Sequence, residues 1–259
     1  MSLLVARDLC KTFGGVVAAR NVSFAVERGE LLAVIGPNGA GKTTTFNLID
    51  GQLQPDGGAV LLEGEDVTGA PPREKFRRGV GRTFQIAQTF PSMTVTENVQ
   101  MALISARGRH RSPFARARHL YREEALAALG QVGMADQADR PCSTLAYGDV
   151  KRVELAVALA SGPKLLLMDE PTAGMPSRER AALMRLAASL ARERRMGVLF
   201  TEHDMDAVFA HADRILVLVR GEVIAAGAPD EVRADPRVRQ AYLGATGAAA
   251  AERARRGRA

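Results

Sequence analysis

The chain has 259 residues, 46% apolar and 25% charged, with a formal charge of +6; such a chain builds a sizeable core, which excludes a disordered segment or a small module stapled by disulfides. Cys10 and Cys142 form no Cys-x-x-Cys or Cys/His cluster, which argues against a zinc or disulfide framework and for a reducing compartment. No apolar run of about 18 residues offers a membrane span, and Arg7 and Asp8 stand where a signal peptide needs an apolar stretch, so any membrane role is expected to be peripheral.

Half of the positive charge comes from the last eight residues, where Arg253, Arg255, Arg256 and Arg258 face only Glu252. A second basic stretch runs from Arg107 through Arg109, Arg111, Arg116 and Arg118 to Arg122. Both read as solvated surface rather than a nucleic-acid or lipid site. The Ala- and Arg-rich residues 244–259 read as a disordered tail.

In chain order, residues 3–9, 22–26, 31–35, 59–62 and 80–84 read as short apolar strands separated by turns. From Thr96 the spacing turns helical, opened by a capping box at Thr94 and Glu97 and broken near Ser112 and Pro113. After Gly162 and Pro163, strands at 165–168, 198–201 and 215–219 alternate with helices at 178–194 and 205–210. This alternation predicts a parallel sheet with helices on its faces. Arg220 and Gly221 turn the chain into an edge hairpin at 222–225, and Pro229 opens a last short helix. No internal repeat divides the chain, so one nucleotide-binding unit is expected.

The chemistry concentrates in two places. Gly36-Pro37-Asn38-Gly39-Ala40-Gly41-Lys42-Thr43 fits the G-x-x-x-x-G-K-[ST] pattern, and it lies between an apolar strand and a predicted helix at 42–49, the context such a loop requires. Its glycines let main-chain N–H groups close around phosphate oxygens, Lys42 neutralises the β- and γ-phosphates, and the Thr43 hydroxyl suits Mg²⁺; Thr44 follows in the same loop. The run Leu165 to Met168 then delivers Asp169 and Glu170 at the end of a buried strand. Asp169 is a metal-holding carboxylate, and Glu170 a base for the water that attacks the γ-phosphate.

Over residues 3–243 these features resemble the ABC ATPases. The resemblance implies a P-loop NTPase core with a mixed, largely parallel sheet, an N-terminal antiparallel β subdomain and a helical insert at about 86–160, in a single domain over 1–243. Gln85 resembles the family's glutamine loop, implying contact with Mg²⁺ and the attacking water. His203 resembles the switch histidine at the γ-phosphate, and Phe13 stands where the family sets an aromatic ring against adenine. Leu145-Ala146-Tyr147-Gly148-Asp149 corresponds to the signature segment that covers the ATP of the other subunit; Ala146 removes its usual hydroxyl and leaves the helix dipole and backbone donors. Ala173-Gly174-Met175-Pro176 lacks the aspartate common after the carboxylates.

The altered signature, Gly81-Arg82-Thr83-Phe84-Gln85, the segment from Phe90-Pro91 to Glu97-Asn98-Val99, and Ala241-Tyr242-Leu243-Gly244 also resemble the larger ATPase subunit of branched-chain amino-acid importers. That resemblance implies ATP and Mg²⁺ as cofactors, a second ABC ATPase subunit as dimer partner, two membrane permeases, and an external solute-binding protein acting indirectly. It also implies a peripheral place on the cytoplasmic face of the membrane. Import of another solute is the alternative, and a soluble ABC ATPase working on nucleic acid or ribosomes a weaker one: only about 60 residues separate Gln85 from Leu145, too few for the long coiled coils of DNA-structural members. A simple kinase or GTPase would leave Gln85, the signature segment and His203 unexplained.

Overall fold

A computed structural model describes residues 2–83, 89–107 and 120–241. Gln85, most of the Arg-rich insert, the Tyr242-Leu243-Gly244 match and the basic tail lie outside them. The described chain runs β1 (Leu4–Phe13), β2 (Val16–Val26), β3 (Leu31–Ile35), α1 (Lys42–Asp50), β4 (Gly57–Leu62), β5 (Glu65–Asp66), α2 (Pro72–Arg77) and β6 (Val80–Thr83). It continues through α3 (Val95–Ala106), α4 (Arg122–Gln131), α5 (Tyr147–Ala160), β7 (Leu165–Asp169) and α6 (Ser177–Arg194). The final elements are β8 (Gly197–Thr201), α7 (Met205–His211), β9 (Arg214–Val219), β10 (Glu222–Gly227) and α8 (Pro229–Ala234).

The strands form two sheets, one antiparallel in the order β2-β1-β4-β5 and one in the order β10-β9-β3-β8-β7-β6. Within the second sheet β6, β7, β8, β3 and β9 pair in parallel and β10 closes the edge antiparallel to β9, which is the predicted mixed sheet. Its central strands are apolar throughout because both faces are covered. Leu31, Ala33 and Ile35 of β3 point into a core shared with α3, α4, α5 and α6, while Leu32 and Val34 point into one shared with β1, β2, β4 and α1. β7 and β8 divide the same way, Met168 and Phe200 on one side, Leu167 and Leu199 on the other.

The Thr94 capping box is present at the start of α3: the Thr94 hydroxyl accepts from Glu97 N at 3.2 Å, and Thr94 N donates to the Glu97 carboxylate at 2.9 Å. Two departures from expectation matter for the site. The first strand extends past Leu9 to Phe13 and turns at Gly14 and Gly15, both at positive φ, into a second strand that begins at Val16 rather than Val22. The polar Lys11 and Thr12 hid this; a distant side chain holds the strand there, Asp56 accepting from Lys11 Nζ and from the Thr12 main-chain N–H, each at 2.7 Å. The short α2 and β5 were also not anticipated, being two to six residues long and carrying too few turns for a periodic signal. Among the described residues no helix is long and apolar enough to cross a membrane.

Candidate functional site

β3 ends in the glycine loop and α1 begins at Lys42. Glycine is required where the chain runs close to its neighbours: a Cβ on Gly36 would lie 2.1 Å from Leu218 O, and one on Gly41, at φ +101°, would lie 2.3 Å from Ala18 O. With this geometry the loop curls over the start of α1, and the Lys42 ammonium turns back into it, donating to Gly36 O at 2.7 Å and Pro37 O at 3.3 Å. Lys42 is buried. Burial lowers its pKa, and the nearby charges of Glu170 and Asp169 act against that shift. A buried cation whose hydrogen bonds go to neutral carbonyls is suited to receive an anion.

The loop borders a cleft of about 440 Å³ lined by Asn38 to Thr44, by Val16, Val17 and Ala18 of β2, and by Glu170 and His203. Sequence reasoning brought Lys42, Thr43, Thr44, Glu170 and His203 to this site, and the fold puts them together. It did not anticipate the three β2 residues, whose only signal was a weak Val-Val-Ala run after the glycine pair. Phe13 is not among the lining residues. It sits on the adjacent strand, paired with Val16, 44% exposed, with Lys11 Nζ 5.5 Å from its ring centre.

The carboxylates are set by β7 and its neighbour β8. Asp169 Oδ1 accepts from the Thr201 hydroxyl at 2.8 Å, and the same hydroxyl oxygen accepts from Glu170 N at 3.0 Å. Asp169 Oδ2 lies 3.3 Å from Arg82 on β6, whose guanidinium also holds Asn47 at 2.7 Å and ion-pairs with Asp50. Glu170 takes φ +47°, an uncommon conformation for a non-glycine residue that clusters at functional sites. Its carboxylate is 2.6 Å from His203 Nε2. One residue away, the buried Glu202 accepts from Thr172 N at 3.0 Å and from the Thr172 hydroxyl at 2.6 Å. Thr201, Glu202 and Thr172 were missed in the sequence, since nothing local marks a contact across 30 residues.

Burial raises the pKa of Glu202 above the ordinary glutamate value, with Thr172 and the His203 main-chain N–H opposing and the Glu170 charge adding to the rise. The folded chain therefore holds the Glu202 proton more tightly than the unfolded chain, and this group costs stability as pH climbs from about 4.5 upward. In paired thermal melts, the stability of Glu202→Gln relative to wild type is expected to improve as pH rises above about 4.5 and to level off once pH passes the raised folded-state pKa of Glu202. A flat difference would contradict this.

The signature segment lies elsewhere. Ala146 occupies the N-cap of α5 with no side chain to cap it, and α5 starts at Tyr147, one turn earlier than the helix expected at 150–160. Gly148 is buried so closely that a Cβ there would lie 2.2 Å from Glu179 of α6, and Tyr147 stands 48% exposed beside Gly174. Asp149 accepts from Gln137 at 3.3 Å. None of Leu145 to Asp149 lines the cleft.

A parallel sheet that ends in a glycine loop over a buried lysine, with two carboxylates at the end of the next strand but one, defines a phosphate-loop nucleotide-binding protein. The ABC transporter family matches residues 19–173, well over half of the chain, and the chain belongs to that family as an ATP-binding, ATP-hydrolysing cassette. A second description, branched-chain amino acid ATP-binding cassette transporter, matches residues 222–248. The high-affinity branched-chain amino acid transport ATP-binding protein BraF of Pseudomonas aeruginosa is 39% identical over 253 residues, covering 93% of this chain and 98% of that protein. LivG of Escherichia coli K12, described in the same words, is 39% identical over 251 residues, with the same coverage. The crystal structure of the ADP conformation of MJ1267, an ATP-binding cassette of an ABC transporter, superposes with a TM-score of 0.84 at 32% identity, covering 94% of this chain and 99% of that one.

Proposed function

We propose that this chain powers the import of branched-chain amino acids from the cytoplasmic face of the membrane, as one ATPase of a pair docked on two permeases fed by an external binding protein. The observation that carries the catalytic part of this reading is the convergence of the buried Lys42 ammonium with Asp169 and Glu170, whose charges it feels. Lys42 and the main-chain N–H groups of the Gly36–Thr43 loop other than Pro37 hold the β- and γ-phosphates, with Thr44 flanking them, and Phe13 lies against adenine. Thr43 and Asp169 hold Mg²⁺, with Gln85, outside the described residues, as a further ligand. The donor set fits that ion: a hydroxyl and a carboxylate are hard oxygen donors, and among the described residues no group of three or more His, Cys, Asp or Glu could cage a metal alone. Mg²⁺ commonly binds through one or two protein oxygens plus phosphate and water. Bound there, it neutralises charge developing on the phosphates.

Glu170 orients and deprotonates the attacking water, and His203, 2.6 Å from it, reaches the γ-phosphate. Leu145 to Asp149 cover the nucleotide held by the partner subunit; Ala146 offers no hydroxyl, so that contact falls to the α5 backbone N–H groups and helix dipole. ATP closes the pair and hydrolysis reopens it, and residues 86–160 carry the movement to a permease within the single domain 1–243.

The solute assignment draws support from the near full-length identity to BraF and LivG. It is tested in proteoliposomes holding this chain, its permeases and its second ATPase. ATP turnover is expected to rise severalfold with leucine-loaded binding protein and to stay at its basal rate with binding protein offered lysine. Stimulation by lysine and none by leucine would remove this solute class and leave the ATPase intact.

A further inference from the structure

We propose that Glu202 is a positioning residue for ATP hydrolysis, acting through a clamp between the ends of β7 and β8. The inference rests on the assignment of Glu170 and His203 as the catalytic pair. Those two residues sit on different segments: Glu170 follows β7 and His203 follows β8. Their approach at 2.6 Å therefore depends on whatever ties the two strand ends together. Ladder pairing between β7 and β8 stops at Asp169 and Thr201, one residue before Glu170 and two before His203. Beyond it the connection passes to side chains. The Thr201 hydroxyl joins Asp169 to Glu170 N, and the Glu202 carboxylate gathers Thr172 N and the Thr172 hydroxyl onto one oxygen.

The clamp is buried, Thr172 and Thr201 fully and Glu202 to 6% exposure, so water does not compete for these bonds and the geometry is stiff. It also brackets the two catalytic residues. Glu170 is held in its left-handed conformation between Asp169 and Thr172, while His203 is joined directly to Glu202, whose carboxylate also accepts from the His203 main-chain N–H. An anion in so buried a place carries a cost, which its raised pKa reports. A glutamine would bind the same Thr172 donors without that cost, so the retained function of the site is the acceptor geometry.

The test compares Glu202→Ala, Glu202→Gln and Thr172→Ala, using ATP turnover in the assembled transporter, the affinity of the isolated subunit for a fluorescent ATP analogue, and the melting temperature. A displacement of about 1 Å in a catalytic group costs on the order of a hundredfold in rate. Glu202→Ala is expected to lower kcat about ten- to a hundredfold with ATP affinity within about twofold of wild type, since Lys42 and the glycine loop are untouched. Thr172→Ala, which keeps the main-chain donor and folds more safely, is expected to fall between. Glu202→Gln should recover most of the rate lost in Glu202→Ala. Wild-type kcat in Glu202→Ala, equal losses in the alanine and glutamine variants, or parallel losses of rate and ATP affinity would each overturn the proposal. Glu170→Gln run alongside separates the two readings: if it keeps full turnover, the catalytic pair is wrong, whereas if it alone loses turnover, only the clamp is wrong.

Discussion

Glu170→Gln is expected to reduce ATP turnover by about a hundred- to ten-thousandfold, the scale of losing a positioned general base, and to leave ATP bound. The amide preserves the shape of the side chain and can still meet His203 Nε2, but it cannot take a proton from water. Nothing in the phosphate loop changes, because Lys42 is anchored on Gly36 O and Pro37 O rather than on Glu170. Removing a charge that Lys42 feels also leaves the ammonium freer to pair with phosphate. The variant should thus accumulate a stable ATP-bound pair of subunits, visible as a doubled mass in size-exclusion chromatography with ATP and absent with ADP. Near-normal turnover would move the base to another residue.

Lys42→Ala is expected to weaken ATP binding itself. Truncating one member of a buried, hydrogen-bonded charge pair costs about 2–5 kcal/mol, a factor of roughly 30 to several thousand in affinity. The substitution also frees the Gly36 and Pro37 carbonyls that Lys42 now satisfies, but Lys42 lines the cleft, so the space its side chain leaves opens to water from there. Melting without nucleotide should therefore shift by a few degrees at most, while the stabilisation by Mg-ATP expected of wild type is largely lost. An alanine variant that retained ATP-dependent stabilisation would show that the loop backbone holds the phosphates unaided.

Much of this site is legible in the sequence because its decisive parts are contiguous. Gly36 to Thr43 form one loop, and Asp169 and Glu170 terminate one strand, whose apolar run is explained by burial on both faces. The Thr94–Glu97 capping box likewise spans four residues. What escaped notice is contact between elements distant in the chain. Arg82 meets Asp50 and Asp169, Glu202 meets Thr172, and the β1–β2 hairpin brings Val16 to the cleft. Each depends on strand order, with β8 between β3 and β7, which no local periodicity encodes. The hairpin was obscured further because the Lys11 ammonium is held by Asp56, more than 40 residues away, which also accepts from the Thr12 main-chain N–H. In Tyr147 the helix starts earlier than its apolar spacing suggested, since Ala146 supplies no capping side chain to mark the boundary.

The most direct test of the central claim is ATP turnover by this chain alone and after co-expression with its permease and second ATPase subunits, in wild type and in Glu170→Gln. The account predicts slow or undetectable turnover alone, a strong rise in the assembly, and loss of that rise in the variant. Robust turnover without membrane partners, stimulated instead by nucleic acid or ribosomes, would contradict it.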